Sequence, residues 1–254
     1  MYEATSIRSI KERLSSELPR TVTVTRREPV HEIGFMTPQM INRPLRYQTV
    51  RTTEEKISKL IGILLCHPES PLGKTEILGH LPFFHVRSGD AIDFFCAGYG
   101  AYWPPEHHTD QKVVARINDE DWLFSNDAFL QVIEELERES KWKYSGETEL
   151  LLIPAIKAAD DVISFRYESS LVCNLERMAK DGAFTSVRSF FDGIFRYAKT
   201  QSSNNSAWEF SDKKGVEVAG GVLKEFILSL LPEQLRNGYK KASHYAIKNL
   251  ATDF

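Results

Sequence analysis

Phe83–Asp110 (FFHVRSGDAIDFFCAGYGAYWPPEHHTD) holds the densest mixture of aromatic, glycine, histidine and paired polar residues in the chain. Two short apolar runs, Phe83–Val86 and Ile92–Ala97, flank the turn sequence Ser88-Gly89-Asp90. Together they predict a β-hairpin over 83–97 that runs into an irregular loop. Strand alternation then puts His85, Arg87, Asp93 and Phe95 on one face, and a three-residue loop sets His85 opposite Asp93. Such a group could grip an anion, or orient a general acid/base histidine against a carboxylate. As a cross-strand polar cluster alone, it would stabilise the sheet by roughly 0.2–1 kcal/mol.

The loop that follows, Tyr99–Asp110, offers Tyr99, Tyr102 and Trp103 as ligand- or partner-binding surfaces, and Gly98 and Gly100 as points of close backbone approach. Glu106, His107, His108 and Asp110 are proton carriers by type. Their spacing fits no zinc site, because adjacent histidines in an extended chain point apart. No metal and no cofactor is expected. Further on, Glu147-Thr148-Glu149 enters a nearly continuous apolar run, Glu149–Ile153, which reads as a central strand.

Before the hairpin, Ile7, Ile10 and Leu14 mark a short helix over Ser6–Glu17, and Arg20–Arg26 alternates like a strand. The proline-bearing segment Glu28–Val50 reads as extended. Thr52-x-x-Glu55 has the form of a capping box and predicts a helix carrying Ile57, Leu60, Ile61 and Leu64. Leu72–Thr75 (LGKT) is no phosphate loop, since Pro68 stands where that motif needs glycine. After the loop come a strand over Lys112–Ile117, a turn at Asn118–Asp121, Trp122–Phe124, and a helix capped by Ser125 or Asn126. Ser145-Gly146 turns the chain before Glu149–Ile153, and Val162–Tyr167 is a further strand. Leu171, Leu175 and Met178 give one helical stripe; Val187, Phe190, Phe191, Ile194, Phe195 and Ala198 give a wider one. Gln201–Ser206 reads as a flexible link. Two more helices follow, with Leu223–Leu231 on the first and Leu235–Leu250 on the second, which Pro232 opens. The expected fold class is α+β: a mixed sheet around the hairpin, flanking helices and a helical C-terminal third. The expected divisions are a basic helix and arm over 1–51, a core over 52–200 and a helical pair over 207–254.

Composition is that of an ordinary globular protein, 42% hydrophobic and 26% charged. Cys66, Cys96 and Cys173 are sparse, odd in number and set in apolar surroundings, which predicts reduced, buried thiols and a cytosolic setting. No apolar run is long enough for a membrane span, and the N-terminus lacks the apolar run of a secretory leader. The net charge of −3 is uneven: residues 1–51 carry nine basic against five acidic side chains. Arg26, Arg27, Arg43 and Arg46 fall in that arm, and their planar forks suit carboxylate or phosphate. Docking on protein is the favoured role. Nucleic acid is the disfavoured one, because the chain as a whole lacks a basic excess.

Arg87 followed by the Glu147-x-Glu149 pair resembles ADP-ribosyltransferases, in which one glutamate binds a sugar hydroxyl and the other activates the acceptor. This chain has no Ser-Thr-Ser strand between them. HVRSGDAIDFFCAGYG and KWKYSGETELLLI resemble uncharacterised bacterial proteins encoded in phage-defence loci. That resemblance implies an accessory role. The expectation is a non-catalytic cytosolic recognition subunit of a larger complex, binding a partner protein or a small anionic ligand. The alternative is a nucleotide- or phosphodiester-directed enzyme, a hydrolase or ADP-ribosyltransferase-like protein, built on the 83–97 cluster with His107 and His108.

Overall fold

A computed structural model of the protein describes residues 1–18, 22–29, 47–54, 57–88, 92–104, 106–158, 160–203, 213–241 and 247–249. In chain order the strands are β1 (Tyr2–Ala4), β2 (Val22–Pro29), β3 (Tyr47–Glu54), β4 (Ile57–Leu65), β5 (Asp93–Ala97), β6 (Tyr99–Gly100), β7 (Lys112–Ile117), β8 (Glu120–Phe124), β9 (Glu149–Lys157), β10 (Ile163–Phe165), β11 (Leu171–Asn174) and β12 (Ile247–Asn249). The helices are α1 (Ile7–Glu17), α2 (Leu78–Ser88), α3 (Asn126–Glu139), α4 (Leu175–Lys180), α5 (Val187–Ser203), α6 (Lys213–Ser229) and α7 (Glu233–Lys241). The fold is α+β, as its sequence predicts.

The main sheet runs β1-β5-β4-β9-β11-β12. β1, β5 and β4 are parallel to one another, and β9 is antiparallel to β4 along its whole length, from Leu65↔Glu149 to Ile57↔Lys157. The far edge of β9 is shared: β11 pairs its first half and β10 its last three residues. All of β9 is buried, which explains its unbroken apolar run. β2 pairs with β3 apart from this sheet, and β6-β8-β7 form a third, small one.

The hairpin at 83–97 is not formed. Residues 78–88 are helix, preceded by a π-helical turn over Gly73–Ile77, and β5 alone is strand. Phe83–Val86 looks like a strand in isolation, but Ile77, Leu81, Phe84 and Ser88 recur at helical spacing and are buried. Phe84 meets Phe191 of α5 with ring centroids 4.7 Å apart, and Phe94 of β5 meets Phe191 at 5.3 Å and Phe195 at 5.6 Å. Such ring pairs each contribute about 0.5–1.5 kcal/mol beyond the area they bury. Helix 78–88 is therefore held by tertiary aromatic packing.

The helix expected over 57–64 is also a strand. Leu60, Ile61, Ile63, Leu64, Leu65 and Cys66 are all buried, so both faces are covered and periodicity loses its meaning. Gly62 makes room for Phe94: a Cβ there would lie 2.9 Å from the ring. Thr52 belongs to β3, so no capping box forms there. Leu171 lies in strand β11 while Leu175 and Met178 lie in α4, so their stripe is split at Asn174, the N-cap of α4. The last helix stops at Lys241, and residues 247–249 return as β12 beside β11, where a helix through Leu250 was expected. The link at 201–206 is partly helix, since α5 runs to Ser203; residues 204–206 lie outside the described residues.

Other expectations hold. α1 buries Ile7, Ile10 and Leu14 behind a Ser6/Ser9 capping box. Ser125 caps α3, which buries Phe129, Val132, Ile133 and Leu136. The true hairpin is β7–β8, closed by Asn118 and Asp119, both at positive φ as a two-residue turn requires. The helix after β4 packs against α5 and β5, while α1 and α3 pack on each other. β4-α2-β5 is thus one βαβ unit, with β1 extending its parallel side and β9 beginning the antiparallel side of the sheet.

Candidate functional site

Three residues expected to act together, His85, Arg87 and Asp93, take different direct partners, although the Met1 ammonium acts on both His85 and Asp93. His85 lies half-buried on α2, its ring against Trp122. Burial lowers its pKa. Asp93 opens β5 with its side chain fully buried and holds the Lys59 ammonium at 2.6 Å. Burial pushes that carboxyl up, and Lys59 opposes the shift. Arg87 leaves the C-terminal end of α2 toward α5, where it grips Asp192 through Nε at 3.1 Å and Nη2 at 2.7 Å. The polar cluster needed a hairpin register, and the helix removes it.

The loop residues divide as well. Tyr99 is core: its hydroxyl donates to the Cys66 carbonyl at 2.8 Å. Gly98 and Gly100 serve packing, with no open space for a ligand. A Cβ at Gly98 (φ 76°) would lie 2.6 Å from Phe129, and one at Gly100 2.3 Å from the Trp103 indole. Trp103 donates to Glu3 at 2.9 Å and packs against His108, while His107 is exposed. Asp110 is a helix cap: it accepts from the Ser125 hydroxyl at 2.7 Å and the Asp127 N–H at 3.0 Å. Burial alone would raise its pKa; these bonds outweigh it and hold the carboxyl low. Tyr102 is 77% exposed.

Glu147 and Glu149 differ in burial and ion pairing, though Asn174 and Ser145 bridge them. Glu149 is buried and accepts from the Ser145 hydroxyl at 2.6 Å and the Trp142 indole at 3.1 Å. Glu147 binds Arg177 at 2.8 Å, Asn174 at 2.8 Å and Lys180 at 3.2 Å. Both stand at the end of β9 that meets the C-terminal end of β4, whereas α2 delivers Arg87 to the N-terminal end of β5. β4 and β5 are parallel, so the arginine and the glutamates lie at opposite ends of the sheet. The ADP-ribosyltransferase-like arrangement is not assembled.

The C-terminal end of β4 carries a chain of polar contacts that spacing alone did not reveal. Cys66 Sγ lies 3.8 Å from Ser70 Oγ, which meets Thr148 Oγ1 at 3.1 Å; Thr148 donates to Glu176 at 3.0 Å. Gly73 N–H also donates to Ser70 Oγ, at 3.0 Å. Open α/β sheets bind ligands at such strand ends. Here the members satisfy one another, and burial pushes the Cys66 thiol up to about 11, so it stays protonated and unreactive at neutral pH.

Around Arg87 the surroundings differ. An open cavity of about 470 Å³ is lined by Phe83, Arg87, Ser186, Arg188, Ser189, Asp192 and Arg196. Three guanidiniums face one carboxylate. Arg188 stacks on the Phe83 ring, 4.3 Å from its centroid, while Arg87 and Arg196 both pair with Asp192. Burial would raise the Asp192 pKa, but the two arginines outweigh it and hold the carboxyl below its ordinary value. Arg188, Asp192 and Arg196 repeat every fourth residue on the outer face of α5. That spacing is readable in the sequence, but the aromatic stripe on the opposite face masked it. Of the arm residues, Arg26 and Arg27 fall in β2, and Arg43 and Arg46 lie outside the described residues. Among the described residues no cluster of three or more His, Cys, Asp and Glu is placed to hold a metal, and no helix is long and apolar enough to cross a membrane. No protein-family model, curated protein or solved structure matches the chain.

Proposed function

We propose that the protein is a non-catalytic recognition subunit, acting within a larger bacterial complex, whose Arg87 cavity receives a small phosphorylated ligand. The supporting observation is the lining: three arginines and two serines against a single aspartate, in a cavity of about 470 Å³. Planar guanidiniums bind phosphate oxygens in pairs, and an incoming phosphate would take over the donors that Asp192 now occupies. Arg87 turns to Asp192, away from the partners of His85, Asp93, Glu147 and Glu149, which supports recognition over an enzyme built on one shared cluster. The accessory placement draws on the sequence resemblance to phage-defence proteins.

Isothermal titration of the full chain with pyrophosphate and with a nucleoside triphosphate tests the reading. Saturable binding is expected, weakened by Arg188→Ala and by rising salt. Equal binding by wild type and by an Arg87→Ala/Arg188→Ala double variant would overturn it.

A further inference from the structure

Tyr102 is the only residue other than Asn, Asp or Gly that has positive φ among the described residues. At φ 61° a bulky side chain is strained, and its ring is 77% exposed. No hydrophobic burial repays that strain. The Glu120 carboxylate beside its hydroxyl raises the phenol's pKa. Backbone outliers of this kind concentrate where a ligand needs a preset surface.

The ring borders a cavity of about 510 Å³, whose walls include Tyr2, Glu12, Arg13, Ser16 and Trp122. Arg13 covers the Tyr2 ring, its guanidinium carbon 4.6 Å from the centroid, and pairs with Glu17. Trp122 contributes a nearly buried wall at 7% exposure. Glu12 stands exposed at the rim with no protein ion-pair or hydrogen-bond partner among the described residues, and a carboxylate can only accept. The cavity therefore pairs an aromatic face set by a fixed backbone conformation with an unspent acceptor. Its volume suits a small ligand.

We propose that this cavity binds a nucleobase of guanine type, stacked on Tyr102 and presenting its adjacent N–H donors to Glu12. This site is separate from the Arg87 cavity and does not depend on the reading given for it. A guanine edge offers two parallel donors to one carboxylate. An adenine edge would set a ring acceptor against it.

The test uses the full chain labelled with ¹⁵N and follows the Trp122 indole signal while guanosine, adenosine and N-acetyltryptophanamide are added in turn. Guanosine should give a saturable shift and bind more tightly than the other two. Tyr102→Asn keeps the backbone conformation without the ring and should weaken guanosine by about tenfold or more. Glu12→Gln should weaken guanosine while leaving adenosine unchanged or improved. Tyr102→Phe should retain binding. No saturable shift with guanosine, or unchanged guanosine affinity in Tyr102→Asn, would overturn the proposal. Tighter binding of adenosine would overturn the role given to Glu12, and tighter binding of N-acetyltryptophanamide would reassign the cavity to a protein side chain.

Discussion

Two ion pairs of nearly the same length lie at opposite extremes of environment. Lys59–Asp93 spans 2.6 Å with the aspartate fully buried; Arg87–Asp192 spans 2.7 Å with the arginine about half exposed. In the first, charge has been carried inside the sheet and one Asp93 oxygen has no hydrogen-bond partner among the described residues. In the second, the carboxylate is shared by two arginines at the rim of a cavity. Distance alone would rank the two pairs as equals. Solvent access separates their carboxylates: Asp93 is closed to any ligand and holds structure, whereas Asp192 sits on a cavity where its arginines stay reachable.

The sharpest way to break that contrast is Asp93→Ala, which leaves the Lys59 ammonium inside without its partner. Removing one member of a buried pair costs about 3–5 kcal/mol. Chemical denaturation should show that loss, and Lys59→Met/Asp93→Leu together should recover most of it. If Asp93→Ala melts like wild type, the pair is solvated and the contrast fails.

Arg87→Ala should move stability by no more than about 1 kcal/mol, as exposed pairs do. Its effect should fall on phosphate binding, read by titration. A large loss of stability would place Arg87 with the structural pair. Asp192→Asn sharpens the comparison from the other side. It removes the only carboxylate among the described residues that line the cavity, so pyrophosphate should bind more tightly, with at most a small loss of stability.

The smallest effect expected is on pH. His67 sits edge-on to Phe124 and Phe129, and burial, then Lys112, lowers its pKa from 6.5; burial lowers that of His85 as well. A histidine depressed in the folded state binds its proton more readily when unfolded. Stability is then full above 6.5 and falls as pH drops from there through the lowered values. His67→Phe should flatten the denaturation midpoint between neutral pH and that range, while Asp192→Asn should leave it unaltered there.

Legibility in the sequence followed the same division between inside and outside. α3 and the β7–β8 hairpin were readable because one face is wet, and because Ser125 and Asn118-Asp119 are local signals with one structural meaning. β4 was misread because it is buried on both faces, so Ile57, Leu60, Ile61 and Leu64 satisfy a helical template by chance. α2 was misread because Phe83–Val86 is a short, mostly apolar run before a turn signal, while its helical partners Ile77, Leu81 and Ser88 lie outside that window. Arg87 was singled out as a binding candidate by type, and it lines the cavity between α2 and α5. Its companions Arg188 and Arg196 lie about a hundred residues further on, and only the packing of α2 on α5 brings them together. The Tyr102 platform was visible as an aromatic, but not its backbone strain.

The placement of β9 has a consequence for synthesis. Leu65 waits for Glu149, and Ile57 for Lys157, so a nascent chain that has made β1, α2 and β5 still presents the whole apolar edge of β4. Only when β9 has left the ribosome can that edge close, and β10 and β11 must then follow to cover β9 itself. Non-local pairing of this kind is slow, and it exposes sticky intermediates while it waits. Ribosome-stalled chains ending near residue 145 should thus remain open to proteolysis and recruit holdase chaperones, and those extending past residue 203 should resist both.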